Sequence, residues 1–179
     1  KDAPVKKITP KKVVEKKERI LGIDPGFGRI GFGVIEKNNN NNWKVVGYGC
    51  IETSPQREFI DRLDDLHKIL KKVIKKYNPT RSAVEDLFFA KNVKTAIKVA
   101  QARGVILLTL RLADLEIDEF TPLQIKQTIV GYGRAEKRQV QEMLKINLNM
   151  KEKPKQDDAA DALAVALTCG VSLKMKGLL

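Results

Sequence analysis

A mixed α/β sheet flanked by helices is the fold class predicted for this 179-residue chain, and three patterns predict it. Short apolar runs broken by glycine and proline open the chain, as in an antiparallel meander of three strands. Helical and strand periodicities then alternate toward the C-terminus. Neither an internal repeat nor a composition break divides residues 19–173, which read as one domain before a short tail at 174–179.

Residues 1–18 are basic, contain Pro4 and Pro10 and lack periodicity. They are expected to form a disordered tail, either adding sequence-independent DNA affinity or merely solvated. Because the chain begins at Lys1 rather than Met, a missing N-terminus is expected. Order is expected from Arg19. Ile20 to Asp24 reads as a buried strand ended by the Pro25-Gly26 turn, and Ile30 to Ile35 as a second whose glycines permit close backbone approach. Asn38 to Asn42 is a low-complexity hairpin tip suited to an insertion, and Trp43 to Thr53 is the third strand. In the helix Arg57–Tyr77, Phe59, Leu63, Leu66, Leu70, Val73 and Tyr77 recur at spacings of three and four.

Ser82 to Leu87 is the fourth strand, Asn92 to Leu112 a long helix and Leu115 to Phe120 the fifth strand. Thr121-Pro122 caps a short helix through Val130. A basic loop at Gly131–Arg134 leads to a helix over Ala135–Leu148, and an alanine-rich helix covers Asp157–Ser172.

The formal charge of +12 and pI near 9.7 favour a polyanionic partner, of which nucleic acid is the commonest. Cys50 and Cys169 are too few and too far apart for a thiolate metal site, and both read as buried core thiols of a reducing cytosol. His67 is the only histidine and reads as a helix-surface residue, which removes His-based zinc sites and Ser-His-Asp triads from consideration. No apolar run reaches the length of about 18 residues that a membrane span needs. The N-terminal stretch lacks the features of a signal or transit peptide, and the two core thiols are consistent with a cytoplasmic location. Catalysis in this chain falls to carboxylates and lysines.

Four acids sit where acids are costly. Asp24 closes an apolar strand, Glu85 interrupts the strand Ala83-Val84-Glu85-Asp86-Leu87, and Asp158 and Asp161 share one face of a helical first turn. Each also has an ordinary reading: Asp24 as a turn residue, Glu85 as an exposed strand position, Asp157 or Asp158 as a helix cap. Strand-end and helix-start acids of a mixed sheet tend to meet at one edge. Converging carboxylates then repel unless a divalent cation lies between them, and oxygen ligands suit Mg2+ or Mn2+.

Three segments carry a resemblance: Leu21-Gly22-Ile23-Asp24-Pro25-Gly26, Val84-Glu85-Asp86-Leu87-Phe88, and Asp158-Ala159-Ala160-Asp161-Ala162-Leu163-Ala164. With Ala90-Lys91-Asn92, Gln101-Ala102-Arg103-Gly104-Val105, Val130-Gly131-Tyr132-Gly133 and Ala135-Glu136-Lys137 between them, they resemble the ordered motifs of RuvC-type Holliday-junction resolvases over Ile20 to Gly170. The resemblance implies a ribonuclease-H-like fold, with Asp24, Glu85, Asp158 and Asp161 as catalytic ligands. They would bind two magnesium ions roughly 4 Å apart, with manganese able to substitute. Asp157 would then be the cap. Lys126 and Lys137 would neutralise charge developing on the phosphate. Phe88 would stack on bases near the junction, with Lys91, Tyr132, Arg134 and Arg138 as further DNA contacts.

The implied partners are four-way junction DNA, a second copy of the chain and a branch-migration helicase complex. The dimer would form through the helix bearing Ala96, Ala100 and Gly104, although that small-residue stripe could equally serve packing within the chain. The tail before Arg19 and the Asn38–Asn42 insertion lie outside the family pattern. An actin-like or sugar-kinase-like ATPase would need a second such domain, for which the chain is too short. Two alternatives share the fold or the ligand: a related nuclease acting on RNA hybrids, flaps or a ribosomal RNA precursor, and a non-catalytic junction-binding protein.

Overall fold

The computed structural model describes residues 17–86 and 93–177. Its five strands are β1 (Arg19–Asp24), β2 (Arg29–Lys37), β3 (Trp43–Glu52), β4 (Arg81–Glu85) and β5 (Glu116–Phe120). They form one sheet in the order β3-β2-β1-β4-β5. β1, β2 and β3 pair antiparallel, whereas β1–β4 and β4–β5 are parallel. The helices are α1 (Phe59–Tyr77), α2 (Val93–Leu112), α3 (Pro122–Val130), α4 (Lys137–Asn147) and α5 (Asp157–Met175). The predicted meander and the alternation after it are both present.

Strand alternation divides the core into two layers. From β1, Leu21 and Ile23 point to the layer that packs on Leu66 and Leu70 of α1 and Ile106 and Leu110 of α2. Ile20 points the other way, to α5 and to Ile125 of α3 and Leu144 of α4. Gly22 shares the face of Ile20, and there the absence of a side chain decides the packing. A Cβ at Gly22 would overlap the Ala162 carbonyl, and one at Gly31 of β2 would overlap the Asp158 carbonyl. Together with the small buried residues Ala159, Ala160, Ala162 and Ala166, this seats α5 directly on β1 and β2. Because the clashing atom is backbone, Gly22→Ala is expected to cost about 3 kcal/mol, the upper end of overpacking. A denaturant midpoint indistinguishable from that of the unaltered chain would contradict this packing.

Several expectations need correction. Chain order begins before Arg19: Glu18 O accepts from Lys37 N at 3.0 Å, and Lys17 Nζ lies 3.5 Å from Glu36 Oε1. β4 closes at Glu85, and Leu87 lies outside the described residues. α4 starts at Lys137 rather than Ala135, because Ala135 is buried in the core ahead of the cap residue Glu136. α5 is capped by Gln156, not by Asp157, and runs on to Met175. Cys169 is buried as expected, but Cys50 is only half-buried. His67 is not a simple surface residue: its Nδ1 lies 2.8 Å from Thr109 Oγ1 across the α1–α2 interface. The Thr109 hydroxyl donates to Val105 O, so it accepts from His67, which places the proton on Nδ1. The Thr121–Pro122 start of α3 is as expected, with a reciprocal Thr121–Gln124 capping box.

Candidate active site

β1 and β4 run parallel, so their C-terminal ends lie at the same edge of the sheet. Asp24 ends β1 and Glu85 ends β4. Both fall on the face covered by α5, since each lies two residues after a residue of that face, Gly22 and Ala83. Gly31, the cross-strand neighbour of Asp24, lies directly beneath Asp158 at the start of α5. Asp161 is one helical turn further on. The glycine-to-alanine contact therefore brings two strand-end acids to two helix-start acids.

The acids sense one another. Burial, the neighbouring charges of Glu85 and Asp161, a hydrogen bond with Glu85 and the charge of Asp158 together push the Asp24 pKa up to about 8. Glu85 is raised as well, chiefly by burial, although its bond with Asp24 and the charges of Lys137 and Lys126 oppose the rise. Burial also raises Asp161, against the pull of Lys137. Lys137 Nζ lies 2.9 Å from Asp161 Oδ2 and 3.4 Å from Asp157 Oδ2. Partial burial disfavours its charge, but these bonds outweigh that and hold its pKa above the ordinary lysine value.

A cleft of about 230 Å³ beside these groups is lined by Glu85, Asp161, Lys126 and Lys137 and by the apolar Ile125 and Val140. Its donor set is oxygen-only and suits a hard divalent cation, and an Asp24 carboxyl held protonated near neutral pH is a site short of positive charge. Among the described residues, no three of these side chains are closed around a metal-sized position. Their present contacts account for that: Asp24 bonds Glu85, Lys137 holds Asp161, and Arg29 Nη1 faces Asp158 Oδ2 as an ion pair at 3.8 Å, beyond hydrogen-bond length. Cation binding would require these contacts to be exchanged for bonds to the ion.

The structure thus brings together Asp24, Glu85, Asp158, Asp161, Lys126 and Lys137. Tyr132 and Arg134 are exposed in the loop after α3, and Arg138 is exposed on α4 beside Lys137. Phe88 and Lys91 lie outside the described residues.

Four supporting residues were not anticipated. Gln141 Nε2 donates to Asp157 Oδ1 at 2.9 Å, and its spacing of four from Lys137 was the available signal. Arg103 Nη2 lies 3.3 Å from Asp86 Oδ1 and also pairs with Glu119, tying the ends of β4 and β5 beside Glu85. Phe27, in the turn after Asp24, lies under the Arg62 guanidinium at 4.0 Å and 5.2 Å from the Phe59 ring. Arg29 approaches Asp158 from β2.

Residues 20–169 match the family model described as crossover junction endodeoxyribonuclease RuvC. The chain belongs to the RuvC family. A RuvC from Halothermothrix orenii is 53% identical over 156 residues, which cover 87% of this chain and 94% of that protein. One from Petrotoga mobilis is 53% identical over 151 residues, 84% of this chain and 92% of the relative. The solved RuvC of Thermus thermophilus, in complex with Holliday junction substrate, superposes with a TM-score of 0.83 at 32% identity, covering 89% of this chain and 96% of that one. The yeast mitochondrial Holliday junction resolvase Ydc2 shares the fold, with a TM-score of 0.67 at 13% identity over 90% of this chain and 85% of that chain. The family match spans every RuvC motif quoted above, and the ribonuclease-H-like fold expected from them is the fold observed.

Proposed function

We propose that this chain is a structure-selective endonuclease that resolves four-way DNA junctions by paired symmetric nicks. The observation that carries the reading is the meeting of four carboxylates at one sheet edge, two of which, Glu85 and Asp161, line a cleft with Lys126 and Lys137, in a RuvC-family chain with a net charge of +12. Asp24, Glu85, Asp158 and Asp161 would hold the divalent ions, two magnesium ions in this reading. Ions bound there would supply an activated water and stabilisation of the leaving 3′ oxygen, for 5′-phosphate and 3′-hydroxyl ends. Lys137 orients Asp161 and, together with Lys126, presents positive charge to the phosphate as negative charge develops on it. The apolar lining of the cleft, Ile125 and Val140 among it, lowers the local dielectric and strengthens both effects.

Dimerisation through α2 is part of this reading. Ile97, Leu108 and Leu112 are large apolar side chains left exposed on that helix, and a side chain at Gly104 would meet open space. Packing within the chain therefore does not account for the Gly104 end of the stripe, and a two-fold partner suits two symmetric cuts. Residues 19–173 would be the nuclease domain and the basic residues before them a non-specific DNA contact. Phe88 would stack at the junction point, flanked by Lys91, with Tyr132, Arg134 and Arg138 as further contacts. A cytoplasmic location and a branch-migration helicase partner complete the proposal; among the described residues no helix is long and apolar enough to cross a membrane.

The test compares a mobile-core four-way junction with a linear duplex of the same sequence, in magnesium and in calcium. Paired, ligatable nicks in the junction alone, with magnesium only, are expected. Equal cutting of both substrates would leave a metal nuclease without junction selectivity, and tight binding without cutting would favour a non-catalytic protein.

A further inference from the structure

Arg29 is the first residue of β2 and stands on the face of the strand that includes Gly31, beside the start of α5. Its Nε donates to Glu52 Oε1 at 2.9 Å, and Glu52 is its cross-strand partner on β3. Its Nη1 lies 3.8 Å from Asp158 Oδ2, too far for a hydrogen bond. Among the described residues neither Nη group makes one. The Arg29 side chain is 55% exposed, so a cation fixed by one hydrogen bond stays accessible at the rim of the acid cluster.

Position gives this cation a use. Lys126 and Lys137 approach the carboxylates from α3 and α4, on the β4 side of the sheet. Arg29 approaches from the β2–β3 side, where among the described residues no lysine or other arginine pairs with the four acids. A DNA strand laid over four carboxylates meets repulsion along its backbone, not only at the bond being cut. The Nη1–Nη2 edge, which makes no hydrogen bond among the described residues, is a fork that matches a phosphate, and the bond from Nε to Glu52 holds the guanidinium in place.

We propose that Arg29 is a DNA-phosphate contact on the β2–β3 flank of the site, preset by Glu52. This rests on the reading of the carboxylate cleft as a DNA-cleaving site. The competing role is a plain surface ion pair with Glu52, which would contribute little to stability and nothing to DNA binding.

The experiment measures binding of the full chain to a four-way junction in calcium across a salt series. The variants are Arg29→Gln, Arg29→Lys and Lys75→Gln, the last an exposed lysine near the far end of α1. Arg29→Gln is expected to weaken binding several-fold at ~0.1 M salt and to reduce the log–log salt slope by about 0.9, the value for one DNA phosphate no longer neutralised. Arg29→Lys should keep the slope and Lys75→Gln should leave it unchanged, with melting temperatures equal throughout. An unaltered slope in Arg29→Gln, beside normal binding and cleavage by the unaltered chain, overturns the phosphate contact and leaves the nuclease reading standing. Equal reductions of the slope in Arg29→Gln and Lys75→Gln would also overturn it, because they would report net charge alone. Failure of the unaltered chain to bind the junction would remove the reading beneath it as well.

Discussion

Asp24→Asn is expected to abolish junction cleavage while leaving junction binding in calcium within a few-fold of the unaltered chain. Asp24 is the most strongly perturbed acid of the cluster, held between Glu85 on the adjacent strand and Asp158 and Asp161 on α5. Replacing one oxygen by an amide keeps the size of the side chain but removes its charge and half of its ligating capacity. Metal-derived stabilisation of a phosphoryl transition state is worth several kcal/mol, so cleavage should fall on the order of 10³-fold or more. In the proposed reading binding depends instead on lysines and arginines, and losing a negative charge beside DNA would not weaken it. Glu85→Gln should behave alike, because Glu85 ends the neighbouring parallel strand and shares the Asp24 hydrogen bond. Binding and cleavage lost together in a normally melting variant would mean that these acids shape the DNA surface instead of the reaction.

The metal-free protein is expected to lose stability as pH rises, which is the reverse of ordinary carboxylate behaviour. Asp24 has an ordinary pKa of 3.8 and is pushed up to about 8 in the folded chain. Between those values the folded state holds a proton that the unfolded state has released. The stabilisation is therefore complete below pH 4 and is lost as pH climbs through 8, by at most roughly 1.4 kcal/mol per pH unit. Glu85 and Asp161, also raised, act in the same direction. A bound divalent cation reverses the trend, since it selects the ionised carboxylates and stabilises the folded state by mass action. Melting curves from pH 5 to 8.5, with and without millimolar calcium, should diverge as pH rises. Asp24→Asn should flatten the metal-free curve. Equal pH slopes in Asp24→Asn and the unaltered chain would show that the proton resides elsewhere.

Much of this arrangement is legible in the sequence because its causes are local. The alternation Ile20, Leu21, Ile23 and the interrupting Asp24 mark a buried strand whose last residue is out of place unless it has a task. Thr121-Pro122 announces a helix start through backbone chemistry alone. Asp158 and Asp161 share a face by helical geometry. What escaped reading depends on distant neighbours. Arg29 is one cation among many in a basic chain until Glu52 and Asp158 are placed beside it. His67 looks solvated until α2 brings Thr109 against α1. Phe27 follows a turn with no periodicity to mark it, and its role appears only when Phe59 and Arg62 close over it. Asp157 suits a cap by composition, but the chain enters α5 one residue earlier, which frees Asp157 to pair with Gln141 and Lys137.

The seam between the glycines of β1 and β2 and the alanines of α5 has a bearing on ionic radius. Side chains on flexible elements can spread to admit six to eight oxygens around a large ion. Here Asp24 and Asp158 are spaced by main-chain atoms in contact, with Gly31 beneath Asp158, and no intervening side chain can give way. In the proposed reading, such a close frame would suit a small ion that demands near-ideal octahedral geometry better than a large one, so the absence of a β-carbon on the neighbouring strand would bear on the choice of cation.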